Sequence, residues 1–295
     1  MDRMRSWMFV PGNIPKMIDK ALACAADAIM LDLEDGVVPE MKPNARLTVA
    51  ASLAKPRPAR SPAMFVRVNG AQTADLPLDL DAVVVVGLEG LTVPKVETAE
   101  EVHLVSATLD RLEKERGLRQ GSVRLMLAIE TARGLFASPT LASTSPRVVG
   151  LMFGAEDFST DVGLPTKREG IAREFLFARS MLVYAAASAG VISVDAVWPE
   201  LRDLDGLRRD AEMARSLGFL GKSMVHPGHI DVVNAVFTPS ESEIAFSRDL
   251  IAEFEKAVAA GKGSISFGGK LVDRPIYARA VGTMRLAERI GMASR

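Results

Sequence analysis

Histidine and cysteine are scarce in this chain of 295 residues, which has three of the first and one of the second. A single cysteine, Cys24, cannot close a disulfide within the chain, and a reducing compartment suits it. It sits among small residues at 21–26 with no charged neighbour to lower its pKa, which predicts inert packing. The histidines, His103, His226 and His229, do not form a zinc-ligand pattern, and the first falls in a predicted helix. No apolar run reaches about 18 residues, so no membrane span is expected. The N-terminus lacks the apolar stretch of a signal peptide, and the expected location is the cytoplasm. Nor is there an excess of positive charge: 36 Lys and Arg face 37 Asp and Glu, for a formal net charge of −1. A general nucleic-acid binder is excluded on that balance, though local basic patches can still hold phosphates.

What is present is a chain long enough to bury a large core, 48% apolar and 25% charged, the mixture of a soluble globular protein. Short apolar, β-branched runs alternate with longer stretches of helical spacing, the pattern of βαβ units around a parallel sheet. Strands are predicted over 7–11, 28–33, 64–68, 91–96, 123–129, 148–153, 191–197 and 219–225. Helices are predicted over 14–26, 99–116, 172–189 and 204–217. Residues 82–86 also have strand propensity, but they are read as the helix before the fourth strand because no charged cluster follows them. Eight strands predict a closed (β/α)8 TIM barrel over 1–235. Beyond about Gly228 the alternation stops. A C-terminal helical extension or lid is expected over 236–295, with helices at 240–260 and 275–290 joined by a glycine- and serine-rich turn or mobile loop at 261–269.

Catalytic groups of such barrels stand at the C-terminal ends of the strands, and here the apolar runs end in polar residues. The second closes with Asp32-Leu33-Glu34-Asp35, the third with Arg67-Val68-Asn69, the fourth with Lys95-Val96-Glu97. The fifth ends in Glu130-Thr131, the sixth in Gly154-Ala155-Glu156-Asp157, the eighth in His226-Pro227. One charged residue after a strand is usually just solvated; their recurrence at one end predicts a mouth rich in carboxylates. Crowded carboxylates repel unless protonated or bridged by a cation. Oxygen ligands without a Cys/His cluster favour Mg2+ or Mn2+. Arg67 has the planar fork to hold an anionic substrate, or alternatively to pair with a nearby acid. Lys16, at the start of a helix, and Lys95 are candidates for a carrier's phosphates or for the mouth, or else simple solvated lysines.

These motifs resemble the citrate lyase β-subunit-like family, which includes malyl-CoA and citramalyl-CoA lyases. The resemblance rests on Arg5-Ser6-Trp7-Met8-Phe9-Val10-Pro11-Gly12 and on residues 26–37, followed by Lys42 and Ala45-Arg46. It continues through Val66-Arg67-Val68-Asn69, Val93-Pro94-Lys95-Val96-Glu97, Ile129-Glu130-Thr131 and Phe153-Gly154-Ala155-Glu156-Asp157-Phe158. It closes with residues 218–227 and Gly269-Lys270-Leu271-Val272-Asp273-Arg274-Pro275. The matches run in order over almost the whole chain. Met224-Val225 and Ala155-Glu156 depart from the family's pattern without removing a matched functional residue.

The resemblance implies a metal-dependent carbon–carbon lyase. Mg2+ would be held by Glu130 and Asp157, with Arg67 on the substrate. Asp32, Glu34 and Asp35 would hold metal-bound waters or orient other groups. The substrate implied is a 3-hydroxyacyl-CoA thioester, and the C-terminal segment would pack on a neighbouring subunit of a homo-oligomer, a trimer or hexamer. Asp273 is expected to be the catalytic base, delivered by that neighbour on a glycine-rich hinge; alternatively it caps the last helix. Two other activities stay open: a citrate lyase β-type subunit acting on an acyl-carrier-protein thioester, and an aldolase for free 2-oxo-acid aldols. The related aldolases carry a histidine after the second-strand acid, where this chain reads Glu34-Asp35-Gly36.

Overall fold

A computed structural model describes residues 4–58, 61–165 and 172–292. Its elements in order are β1 (Ser6–Pro11), α1 (Pro15–Leu22), β2 (Ala28–Asp32), α2 (Lys42–Leu53), β3 (Ala63–Arg67), α3 (Asp75–Val83), β4 (Gly90–Val93), α4 (Ala99–Glu115), β5 (Arg124–Ile129), α5 (Ala132–Ser143), β6 (Val148–Phe153), α6 (Ala155–Asp161), α7 (Leu176–Ala189), β7 (Ile192–Asp195), α8 (Leu204–Leu217), β8 (Gly221–Met224), α9 (Ile230–Phe237), α10 (Glu241–Ala259), β9 (Ile265–Phe267), β10 (Lys270–Val272) and α11 (Arg274–Arg289). Strands β1 to β8 are parallel and close in sequence order, β8 pairing back onto β1. This is the (β/α)8 barrel that the alternation predicts. The chain divides into two compact units, the barrel over 4–234 and a smaller unit from 235 onward.

The strands read as apolar runs because both of their faces are covered; all five residues of β2 are buried. Trp7, Ala28, Met30, Phe65, Met126, Met152 and Val194 form one core cluster. In it the Trp7 and Phe65 rings meet edge-on, with centroids 4.9 Å apart, a favoured aromatic geometry. The helix starts follow capping chemistry: Thr98 and Glu101 form a reciprocal capping box on α4, and Asp203 accepts from Gly206 N on α8.

Three local expectations need correction. The fourth strand ends at Val93 rather than at residue 96, because Pro94 has no N–H for the ladder and Lys95 turns into the left-handed region at φ 52°. The helix before it stops at Val83, so residues 84–86 are neither helix nor strand. The stretch 261–269 is not wholly loop, and the extension is not wholly helical. Ile265–Phe267 pairs antiparallel with Lys270–Val272. The turn between them is Gly268-Gly269, with φ of 56° and 74°, the two-residue hairpin turn that needs positive φ at both positions.

The small unit has its own apolar cluster of Leu250, Phe254, Val272 and Ala280, with Tyr277 packed against it. The Phe254 and Tyr277 rings stack at 5.0 Å. Helix α10 opens on a Ser240–Glu243 capping box. Among the described residues no helix is long and apolar enough to cross a membrane.

Candidate active site

Parallel register builds the mouth. Asp32 at the end of β2 stands beside Arg67 at the end of β3, and their side chains close a two-point pair. Arg67 Nε donates to Asp32 Oδ1 at 2.8 Å and Nη2 to Oδ2 at 2.6 Å. Asp32 also accepts from the backbone N–H groups of Glu34 and Gly36, so this buried acid orients both the guanidinium and the β2–α2 loop. Arg67 Nη1 reaches Glu34 Oε2 at 2.9 Å, although that oxygen makes no aligned hydrogen bond. The Phe9 ring lies under the guanidinium, 4.8 Å from centroid to Cζ. Burial opposes the charge on Arg67, but the hydrogen bonds and field of Asp32, with Glu34 and Glu130, more than offset it and raise its pKa. Arg67 is thus a paired, largely enclosed cation that lines the mouth.

Glu130 directly follows β5 and is buried. Desolvation, reinforced by Glu34 and Asp157 against the opposing pull of Arg67 and Lys95, pushes its carboxyl up to about 7. Lys95 binds this centre at two points. Its backbone N–H donates to Glu130 Oε2 at 2.9 Å, while Nζ lies 2.6 Å from Glu34, 3.1 Å from Asp35 and 3.6 Å from Asp157. Burial also holds the Glu34 carboxyl above its ordinary value in spite of these cations. The β6–α6 turn comes so close that a Cβ on Gly154 would stand 2.3 Å from Glu130 Cγ; only glycine fits that approach.

The resulting cavity, about 420 Å³, is lined by Asp32, Asp35, Arg67, Glu130, Glu156 and Asp157 together with apolar residues such as Phe9, Met152 and Val225. The structure therefore brings Glu34, Asp35, Arg67, Lys95, Glu130 and Asp157 together. Lys16 is exposed in the first turn of α1 and does not line the cavity, although its neighbour Met17 does. Asp273 lies in the small unit, where its side chain accepts from Ile276 N at 3.4 Å as the N-cap of α11. Glu97 and His226 serve local geometry: Glu97 N–H donates to Glu101, and His226 Nδ1 accepts from Gly228 N. Cys24 is half-buried, and burial raises its thiol pKa.

Sequence reasoning missed the supports. Asn69 donates to Leu33 O at 2.9 Å and to the buried Asp79 at 2.6 Å, and Asp79 also accepts from Arg46 at 2.7 Å. Lys42 Nζ donates to Asn69 Oδ1. This lattice anchors the segment that carries Glu34. Only the occurrence of Lys42, Arg46 and Asn69 within the motifs hinted at it. Among the described residues no group of three or more His, Cys, Asp or Glu stands ready to hold a metal ion. The Glu130–Asp157 pair nevertheless fits a hard divalent cation. Its donors are all oxygen, five carboxylates share two cations, and two of the five, Glu34 and Glu130, are buried and pushed towards protonation.

A model of the HpcH/HpaI aldolase/citrate lyase family matches residues 5–227. The citrate lyase subunit beta of Leuconostoc mesenteroides subsp. cremoris is 39% identical over 283 residues, covering 96% of this chain and 93% of the relative. The mitochondrial citramalyl-CoA lyase of Rattus norvegicus is 34% identical, covering 97% and 86%. Among solved structures, CitE from Mycobacterium tuberculosis in complex with magnesium, acetoacetate and coenzyme A superposes with a TM-score of 0.78 at 30% identity, covering 97% of this chain and 98% of that one.

Proposed function

The chain belongs to the HpcH/HpaI aldolase/citrate lyase family, and from that premise we propose that it is a Mg2+-dependent lyase that cleaves or forms a 3-hydroxyacyl-CoA thioester, such as malyl-CoA or citramalyl-CoA, at a carbon–carbon bond. The products of cleavage are an acyl-CoA and a 2-oxo acid. The observation that carries the reading is Glu130, a buried acid held among like charges at a barrel mouth. In this reading Glu130 and Asp157 hold Mg2+, or Mn2+ through the same oxygen donors. When bound, the cation supplies Lewis-acid polarisation of the 2-oxo carbonyl.

The remaining work falls to the chain's own groups. Arg67, fixed by Asp32, stays charged and stabilises negative charge developing on substrate oxygen. Glu34, Asp35 and Lys95 orient water and substrate around Glu130. In the condensing direction Asp273 takes a proton from the carbon beside the thioester; in cleavage it returns that proton to the enolate carbon. Asp273 belongs to the small unit, and we propose that it reaches the mouth of a neighbouring subunit in a homo-oligomer, a trimer or hexamer. Lys16 serves the phosphates of the carrier.

The 39% identity to a citrate lyase β subunit favours a second reading, in which the thioester is carried by an acyl-carrier protein. The test is a mass-spectrometric assay of purified protein with Mg2+, acetyl-CoA and 2-oxo acids. Formation of a hydroxyacyl-CoA supports the first reading. Turnover only with added carrier protein replaces it with the second.

A further inference from the structure

We infer that the Lys95 ammonium is a tethered rival of the divalent cation at Asp157: it weakens metal binding at the mouth, keeps the metal exchangeable, and withdraws from Asp157 when the metal binds. The inference rests on the lyase reading above, in which Glu130 and Asp157 hold Mg2+, and gives Lys95 a role of its own in it.

Lys95 is fixed at its backbone and reaches out with its side chain. It follows the buried Pro94, takes a φ of 52° and donates its N–H to Glu130 Oε2 at 2.9 Å. The N–H of Val96 meets Ala128 O at 3.4 Å, so the anchor is tied to β5. From there Nζ crosses to three more acids, 2.6 Å from Glu34, 3.1 Å from Asp35 and 3.6 Å from Asp157. Burial opposes the charge on Lys95, but Glu34, Glu130 and Asp35 more than offset it and hold the side chain as an ammonium. Arg67, the other cation of this cluster, is paired with Asp32 and Glu34. One residue thus touches both proposed metal ligands, and the two contacts differ in kind. A neutral N–H on one oxygen of Glu130 does not oppose a cation on the other. The ammonium beside Asp157 does. Mg2+ binds oxygen at about 2.1 Å, so a Mg2+ on Asp157 Oδ1 would stand within about 6 Å of an ammonium that lies 3.6 Å from the same oxygen. That is inside the Debye length of about 8 Å at physiological ionic strength, and the two charges repel almost unscreened. Of the three contacts the one to Asp157 is the longest and the one to Glu34 the shortest, so Nζ yields Asp157 first and keeps Glu34.

The experiment titrates Mg2+ alone into the metal-stripped full chain by calorimetry, for the wild type, Lys95→Gln and Lys95→Arg. The rise in Tm with added Mg2+ is a second readout of the same affinity. Both are taken at about pH 8.5, above the Glu130 carboxyl at about 7. Lys95→Gln removes the charge and should bind Mg2+ at least about tenfold more tightly, since charges of +2 and +1 about 6 Å apart repel by that factor even at the dielectric constant of water. Lys95→Arg keeps the charge and should stay within about threefold of the wild type. If Lys95 only pins Glu34 and Asp35, its loss loosens them, and an unchanged or weakened Mg2+ affinity in Lys95→Gln overturns the inference while the lyase reading stands. A Lys95→Arg protein that binds as tightly as Lys95→Gln overturns it as well, because charge is then not the cause. Absence of Mg2+ binding in all three proteins overturns both this inference and the metal site on which it rests.

Discussion

In the barrel wall, Lys222 and Arg179 share Asp195 and Asp210; at the mouth, Arg67 and Lys95 share Asp32, Glu34, Asp35, Glu130 and Asp157. The wall cluster is matched, with two cations and two anions, all buried. Lys222 Nζ lies 2.6 Å from Asp195 and also binds Asp210, and Arg179 donates to both acids at 2.8–3.0 Å. Burial would raise the Asp210 carboxyl, but Lys222 and Arg179 hold it below its ordinary value. At the mouth the balance is reversed: anions outnumber cations, and Glu130 is pushed up to about 7. A matched buried cluster is complete without visitors. An unmatched one is poised for an incoming cation, and that difference separates architecture from chemistry in residues of the same types.

The comparison can be broken most sharply by paired substitutions. Glu130→Ala or Asp157→Ala should bring turnover to background with little change in Tm, because one carboxylate fewer also relieves repulsion. Lys222→Ala should do the reverse to stability, costing about 3–5 kcal/mol by stranding buried acids. Activity and Tm for the variants decide it; a folded, inactive Lys222→Ala would dissolve the distinction. Next in size is Asp273→Asn. Asparagine caps a helix about as well as aspartate, so Tm should hold, while turnover should drop roughly 10³-fold if the carboxylate moves the proton. Full activity removes Asp273 from the mechanism. Arg67→Lys should lower kcat/KM by roughly 10²-fold, since a point charge cannot reproduce the fork; wild-type kinetics would contradict that role.

A smaller effect concerns stability against pH in a second matched cluster. Burial opposes the charge on Glu113, but hydrogen bonds from Arg147, Val123 N and Gly121 N outweigh it and hold the carboxyl at about 2, below its usual 4.5. A depressed folded pKa gives stability that is fully present above pH 4.5 and lost as pH falls towards 2, by about 3 kcal/mol at most. Urea midpoints of wild type and Glu113→Gln should therefore converge as pH falls from 7 to 3, and a constant gap would refute the assignment. The smallest effect is expected for the exposed Lys16: Lys16→Ala should raise the KM for the thioester by only a few-fold, as for a solvated charge. An unchanged KM takes it out of the site.

The eight barrel strands were legible because burial on both faces leaves apolar runs, and the acids at their ends were legible because that polarity recurs. Pairing was less so. Asp32 with Arg67, and Asp195 with Lys222, follow from strand register, which local pattern does not encode. The β9–β10 hairpin escaped notice because three-residue strands carry too little alternation, although Gly268-Gly269 flanked by Phe267 and Lys270 was its signal. Asp273 was read both as base and as cap; the cap is the role visible in its hydrogen bond.

The two tryptophans of the chain fall on either side of this contrast. Trp7 is wholly enclosed in the barrel core, whereas the half-buried Trp198 directly follows Val197 of the cavity wall, and its indole N–H is buried without a hydrogen-bond partner. The protein thus contains its own pair of fluorophores. One sits in an apolar setting that changes only when the barrel comes apart, and the other lies against Gly206 in the first turn of α8. A shift in the redder component alone, at constant blue emission, would register a change at the start of α8 without any label.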